Sequence, residues 1–483
     1  MSNYKHGIRT SRRPTQLAVP ITSDGCLQCV IGTAPVNLAA DPYDTVNKPF
    51  VFHNKAAAIA GLGYCTDFKN YTLCQSMYAT FDVFGVAPLI MINVLDPEKH
   101  VKAELSKEYA VEGGKVKIPE TGILLDKLSI ASTGESETVY KPDEDYIASF
   151  NTDGTVTVAI VTTGAAAAEK NLKATFAQLD PSLVTYEDII GSYDVKTKKK
   201  TGMELIGRVY PKFGIVPSLL LAPGWSHIPA VKLALAAKSQ LISSLFTAKV
   251  VVDLDTAEGK ADSMEEVKEY KDKSACSDRD TIPMWPLVGV GDYKYYYSAQ
   301  MAAHMEYLAA NNGGVPSRSP SNKDIKITGL YTADGEEVVL EMDEANDYLN
   351  ACGVVTAINV NGWKCWGNNT AAYPSSTDPL DRWINSIINA IPGVSINSIS
   401  PLEVPALATG GIVAQPTLAM IGEGNDSEAV IPLGELWSNM KSIVAGAVNQ
   451  PGSGGAADMF GRIKQLVEGG QAVGQEGGSV TKE

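Results

Sequence analysis

The sequence lacks most of the marks by which a function is usually read. It has no stretch of about 18 uninterrupted apolar residues to span a membrane and no apolar signal region at its start. It has no G-x-x-x-x-G-K-[ST] loop and no G-x-G-x-x-G opening a helix, so neither common phosphate cradle is encoded. Histidine is scarce, and none of His6, His53, His100, His227 and His304 stands four residues from another, so no helical metal pair exists. Positive charge is in deficit: 40 Lys and Arg against 55 Asp and Glu leave a formal net charge of -15. That balance argues against nucleic acid as a partner, because phosphate binders present a broad basic face. The cysteines are seven, odd in number and scattered, which suits reduced thiols and cytosolic synthesis. Cys26 and Cys29 form a C-x-x-C, but in a strand they point to opposite faces, and no second pair stands at ligand spacing, so packing is their expected role.

What the chain does carry is organised around residues 213–255. Residues 214–223 are an apolar run bounded by Gly and Pro, which suits a strand buried on both faces. Ser226 is placed to cap the next helix and Pro229 to open it. Ala230, Ala234, Ala237, Leu241 and Leu245 form the expected buried stripe, with Lys232, Ser239 and Ser243 opposite. Residues 248–255 are a second buried strand, giving a right-handed βαβ unit and a parallel sheet. Upstream, helices are expected over 54–60 and 71–84, then a buried strand over 87–95. Short alternating runs over 101–163 predict a small inserted β domain, and 165–179 a helix leading back. The lysine run at 196–200 reads as a solvated turn. Downstream, 281–290 is expected as one strand, Ser298 as a helix cap, Asp334-Gly335 as a hairpin turn, and 354–360 with 363–366 as a hairpin about Asn361-Gly362.

No catalytic set emerges. Ser226-His227 after a strand invites a serine hydrolase reading, but a nucleophile elbow needs G-x-S-x-G, and the residues from 223 read PGWSHI. An α/β serine hydrolase would need His227 or His304 beside a serine and a carboxylate. The expectation is no enzyme, no cofactor and no metal.

Several stretches in order resemble the sheath subunit of contractile phage tails and phage-tail-like bacteriocins: YKHGI at 4–8, VIGTAPVN at 30–37, YTLC at 71–74, PLIMINVLDP at 88–97, EDIIG at 187–191, LAPGWS at 221–226 and WGNNTAAYP at 366–374. The resemblance implies a subtilisin-like but non-catalytic α/β core with mainly parallel sheet and flanking helices, an inserted small β domain and an extended N-terminal arm. The implied divisions are the arm at 1–24, a first α/β part at 25–100, the insert with its return helix at 101–190, and the core at 191–383. The arm carries Tyr4, Lys5, Ile8, Arg9, Arg12 and Arg13 as candidate inter-subunit residues and no acidic residue before Asp24. Implied partners are other sheath subunits in a homo-oligomer, the tail tube protein and the baseplate. The implied location is the virion tail sheath, assembled in the bacterial host cytoplasm.

After DPLDRW at 378–383 the chain departs from that pattern. Residues 384–483 hold 16 of the 43 glycines and no Lys or Arg before Lys441. ATGGIVAQPTLAMIGEG at 408–424 and SEAVIPL at 427–433 resemble the end of phage tape-measure proteins, which set tail length inside the tube. This implies a chimera joined near Trp383 and Ile384, with a Gly-rich, partly disordered tail that holds helices over 433–448 and 460–467. Such a chain should fold through its α/β core yet assemble poorly alone. A tape-measure or tube-interior protein throughout is the remaining reading; it would need long helical repeats upstream.

Overall fold

The computed structural model describes residues 20–375, apart from 24, 135 and 136, together with two short strands, Thr417–Ala419 and Val430–Pro432. Tyr4, Lys5, Ile8, Arg9, Arg12 and Arg13 lie outside the described residues, as do the helices expected at 433–448 and 460–467. The chain forms two units, Met1–Ile396 and Asn397–Glu483. In the second, Thr417–Ala419 pairs antiparallel with Val430–Pro432.

The first unit is built on a six-stranded sheet in the order Thr281–Met284, Lys249–Asp253, Leu219–Leu221, Gln28–Gly32, Leu89–Asn93, Pro49–Phe52. The first five strands run parallel and the last is an antiparallel edge. Leu220 stands in register between Cys29 and Val250. Every residue of Gln28–Gly32, Leu89–Asn93 and Lys249–Asp253 is buried. That is why the middles of these strands read as apolar runs without alternation, with polar residues only at their ends: both faces are covered. Cys29 is buried in this sheet. Cys26 is buried too, but it lies before the strand with φ +55, although the sequence suggests a strand through both; burial pushes each thiol up to about 12. Asn54 caps the Lys55–Leu62 helix, its Oδ1 accepting from Ala57 N at 2.8 Å.

The βαβ unit at 213–255 forms as expected, but its helix, Pro229–Ser239, is turned over. The buried face carries Val231, Lys232, Leu235 and Ser239, whereas Ala230, Ala237, Leu241 and Leu245 are exposed. Two facts explain the inversion. The helix ends at Ser239, so Leu241 and Leu245 are not in its periodicity. The buried polar residues find partners: Lys232 Nζ donates to Ser274 Oγ at 2.9 Å, and Ser239 Oγ to Ala236 O at 2.8 Å. A satisfied polar group can occupy a core face that pattern alone would deny it.

The insert also differs in one element. Residues 165–168 make a single tight turn, and Asn171–Leu179 is a strand, not a helix. Leu172, Ala174 and Phe176 are fully buried at a spacing of two, the strand period that the preceding alanine run obscures. This strand pairs antiparallel with Val101–Ala110 and with Ser129–Ser132. A second three-stranded sheet, Lys115–Ile118, Val156–Ile160 and Tyr146–Phe150, faces it. Between them lies a core of their own, with Val116, Ile118, Ile130, Val158, Leu172 and Phe176.

The strand expected over 281–290 is two. Thr281–Met284 ends the parallel sheet, and Leu287–Val290 enters a separate antiparallel sheet in the order Tyr293–Tyr295, Leu287–Val290, Gly329–Tyr331, Glu337–Val338. Trp285 between them is buried, its Nε1 donating to Ala261 O at 2.7 Å. The turn at Asp334-Gly335 and the hairpin of Thr356–Asn359 with Trp363–Trp366 form as the sequence predicts.

Candidate functional site

Open α/β sheets bind ligands beyond the carboxyl ends of their strands, where the strand order reverses. Here the chain passes from Gln28–Gly32 outward to Leu89–Asn93, then returns to Leu219–Leu221 on the other side. The crevice that results is filled. A Cβ on Gly32 would meet Thr72 Oγ1 at 2.3 Å, and one on Gly224 would meet Thr72 Cγ2 at 2.8 Å and Tyr296 Cε2 at 3.3 Å. Gly224 also has φ +79, so glycine is required there twice over. Thr72 is fixed by exchange with Thr33: Thr33 N donates to Thr72 Oγ1 at 3.3 Å, and Thr72 N to Thr33 Oγ1 at 3.1 Å. Tyr296 N donates to Gln75 Oε1 at 3.1 Å, closing the plug from the other side.

Beside this plug lie the residues from which a hydrolase would have to be built. Ser226 is fully buried and caps no helix; the Pro229–Ser239 helix begins without a side-chain cap. Its Oγ donates to Asp253 Oδ2 at 3.2 Å and accepts from Asp253 N at 3.0 Å. Ser298 is not a cap either. It sits inside the first turn of the Tyr297–Ala310 helix, and Asp253 does the capping: Ser298 N donates to Oδ1 at 2.8 Å and Ser298 Oγ to Oδ2 at 2.5 Å. Burial raises the Asp253 carboxyl to about 6, against the pull of the two serines. Asp253 therefore ties the end of an interior strand of the sheet to the start of the Tyr297–Ala310 helix.

The two histidines are elsewhere. His227 stacks on Tyr296, rings 6.2 Å apart and nearly parallel, and borders an open cavity of about 670 Å³ with Asp255, Glu269, Tyr270 and Lys273. Burial lowers its pKa, and Asp255 works the other way. His304 lies against Phe84, with no partner on either ring nitrogen; burial lowers it to about 4, and it is held neutral. No described hydrogen bond joins either histidine to a serine. Among the described residues no group of three or more His, Cys, Asp or Glu could hold a metal ion, and no helix is long and apolar enough to cross a membrane.

Besides Asp253, the buried ionisable groups Glu306 and Lys271 also escaped sequence reasoning. Glu306 is fully buried, its Oε2 accepting from Gln28 Nε2 at 2.8 Å while Gln28 also donates to Thr80 Oγ1 at 3.0 Å. Gln28 Oε1 and Glu306 Oε1 have no partner. Burial pushes Glu306 up to about 8, only partly offset by Gln28, so the side chain is a neutral acid at pH 7. Lys271 is buried, and its Nζ donates to three backbone carbonyls, Cys352 O at 2.7 Å, Ala371 O at 2.6 Å and Tyr373 O at 3.0 Å. The available signal was a lone polar residue within an apolar stretch: Glu306 follows AAHM, and Gln28 stands between Leu27 and Cys29.

No protein-family model matches the chain. It is 25% identical over 394 residues to the "Tail sheath protein" of Burkholderia phage BcepMu, covering 78% of this chain and 76% of that one. Among solved structures, the anti-feeding prophage baseplate matches with a TM-score of 0.41 and 11% identity over 80% of this chain and 72% of that one. The sheath complex of an extracellular contractile injection system, PVC, in its contracted state, matches at 0.40 and 11%, over 81% and 73%. The sheath tail protein of Desulfitobacterium hafniense matches at 0.39 and 11%, over 80% of each.

Proposed function

We propose that this chain is a structural subunit of a contractile tail sheath, of a phage or a phage-tail-like particle. The observation that carries the reading is the sequence likeness to a phage tail sheath protein over most of both chains. The filled crevice beside Gly32 and Gly224 accords with it, because the place where such a sheet would hold a substrate is occupied by Thr72 and Tyr296. In this reading the chain catalyses nothing, holds no cofactor, and has a core of subtilisin-like type. Its copies bind one another around a tail tube above a baseplate, in the virion tail, after assembly in the host cytoplasm. Contraction then requires two packings of a rigid subunit separated by a barrier, with links that survive the change. Ile21–Thr22 pairs parallel with Val86–Ala87 of its own chain, so of the expected arm at 1–24 only the residues before Ile21 remain to serve as such a link, adding main-chain hydrogen bonds to a neighbour.

The test is immunogold labelling of intact particles with antibody raised against the described region. Gold along the whole outer shaft is expected; gold confined to a tail tip or capsid would overturn the reading. The tape-measure likeness of 408–433 is a separate proposal, a fusion in frame near Trp383. Sequencing the source DNA across that junction should recover the fusion, and an intact sheath gene there would remove it.

A further inference from the structure

Of the seven cysteines, all free thiols, six are buried and Cys65 alone is partly exposed. The fold gives Cys65 a neighbour that the sequence does not advertise. Cys65 follows the Lys55–Leu62 helix, whose end turns on Gly63 at φ +75, and Cys74 lies within the next helix, Leu73–Met77. The residues between them fold back on themselves: Phe68 N donates to Thr66 O at 2.9 Å, Tyr71 N to Asp67 O at 3.0 Å, and Gln75 Nε2 to Phe68 O at 2.7 Å. This loop brings its two ends together, and the thiols of Cys65 and Cys74 hydrogen-bond to each other. The Cys74 sulfur also accepts from Cys65 N, and the Cys65 sulfur from Asp67 N. Sulfurs in contact are the precondition for a disulfide. The C-x-x-C of Cys26 and Cys29, which the sequence offers instead, has no access to solvent at either thiol.

We propose that Cys65 and Cys74 are a redox-active pair: a peroxide oxidises Cys65, and Cys74 resolves it to a disulfide. The Cys65 thiolate attacks the peroxide O–O bond and keeps one oxygen as a sulfenic acid. The other oxygen leaves as hydroxide and takes up the proton that Cys65 released, forming water. The Cys74 sulfur then attacks the Cys65 sulfur, the S–O bond breaks, and that oxygen leaves as water with the Cys74 proton. Two thiols have lost two electrons, and the peroxide has gained them. The surroundings favour this order. Cys65 is the partner that solvent reaches, and its pKa is lowered, chiefly by the hydrogen bond with Cys74, with burial opposing and Asp67 N assisting. Burial holds Cys74 well above the ordinary thiol value, so it keeps its proton until it attacks. Thiolate character and access decide which cysteine a peroxide reaches first. The loop that the bond closes includes Thr72, the residue that fills the crevice, so oxidation pins the plug at both ends. The pair stands whether or not the chain builds a sheath.

The experiment treats the full folded chain with hydrogen peroxide at neutral pH, blocks remaining thiols with iodoacetamide and digests with trypsin without reductant. Lys55, Lys69 and Lys99 place the two cysteines in separate peptides, 56–69 and 70–99. These peptides should be recovered joined, short of two hydrogen atoms, and dithiothreitol should part them. Cys65 should react at least about tenfold faster than any of the buried cysteines. Cys74→Ala should leave Cys65 as a sulfenic acid that dimedone captures, and Cys65→Ser should leave Cys74 a free thiol. Three results would overturn the pairing. Wild type could accumulate dimedone-reactive Cys65 with no joined peptides, so that Cys74 resolves nothing. Cys65 could stay reduced while the buried thiols do. The link could form only in urea, in which case the folded loop does not bring the sulfurs together. Should Cys74→Ala fail to fold, the wild-type peptide map still decides among these outcomes, and none of them touches the sheath reading, which the labelling tests independently.

Discussion

Lys271→Ala should lower the unfolding free energy by about 3–5 kcal/mol, because it leaves three buried carbonyls without their donor at about 1–3 kcal/mol each, less what their release from a desolvated charge returns. The side chain is a node, not a surface charge. Its three acceptors come from two separate stretches, Cys352 at the end of one helical segment and Ala371 with Tyr373 near the end of the described chain. Alanine leaves three carbonyls with an empty space where their donor stood, and water is a poor substitute at a site 3% exposed. Desolvation lowers the Lys271 pKa, which says that the charge is held at a cost and only the carbonyls offset it. Urea unfolding followed by tryptophan fluorescence measures the loss. Lys271→Met separates the causes: it keeps the stem packed and should still lose most of the stability, because the carbonyls remain unmet. A loss below about 1 kcal/mol in both variants would show that the three bonds contribute little.

Glu306→Gln should make the protein more stable than wild type at alkaline pH and progressively less so toward pH 4.5. The folded carboxyl titrates near 8, above the usual carboxylate range. As pH rises through the ordinary glutamate value, the unfolded chain releases this proton while the folded chain keeps it. The folded state then binds more protons, so stability falls with pH until the folded group itself ionises near 8. Each pH unit inside that window costs about 1.4 kcal/mol. Glutamine is isosteric with the neutral acid and cannot ionise, so its unfolding free energy should lack this slope. Denaturation midpoints of both proteins across pH 5 to 8.5 check it; parallel curves would mean that Glu306 is ionised in the fold with an unseen partner.

How much of this was legible before the fold was known depends on what kind of signal each element carries. The parallel sheet was readable, because strands buried on both faces read as near-continuous apolar runs, as 250–252 and 89–92 do. The hairpins were readable, because Asp-Gly and Asn-Gly fix the backbone of a tight turn. The face of the Pro229–Ser239 helix was not, since its alanines fit either side and the deciding facts, partners for Lys232 and Ser239, are tertiary. The strand at Asn171–Leu179 was hidden by an adjoining alanine run with high helical propensity, which lost to pairing along Val101–Ala110. Ser226 and Ser298 were assigned to caps by sequence position, while the residue that gathers both, Asp253, lay 27 and 45 positions away. Polar contacts of that range leave no trace in local pattern.

The first and last strands of the insert run side by side, and where they meet the α/β core Val101 stands opposite Leu179 while Asp180 N donates to His100 O at 2.8 Å. The core thus gives up the chain and receives it back at almost the same point, as a stalk does. Everything beyond that neck has its own core and can grow, shrink or be exchanged over evolutionary time without moving a strand of the scaffold beneath it. The outer decoration and the inner framework of this protein are therefore free to diverge at different speeds.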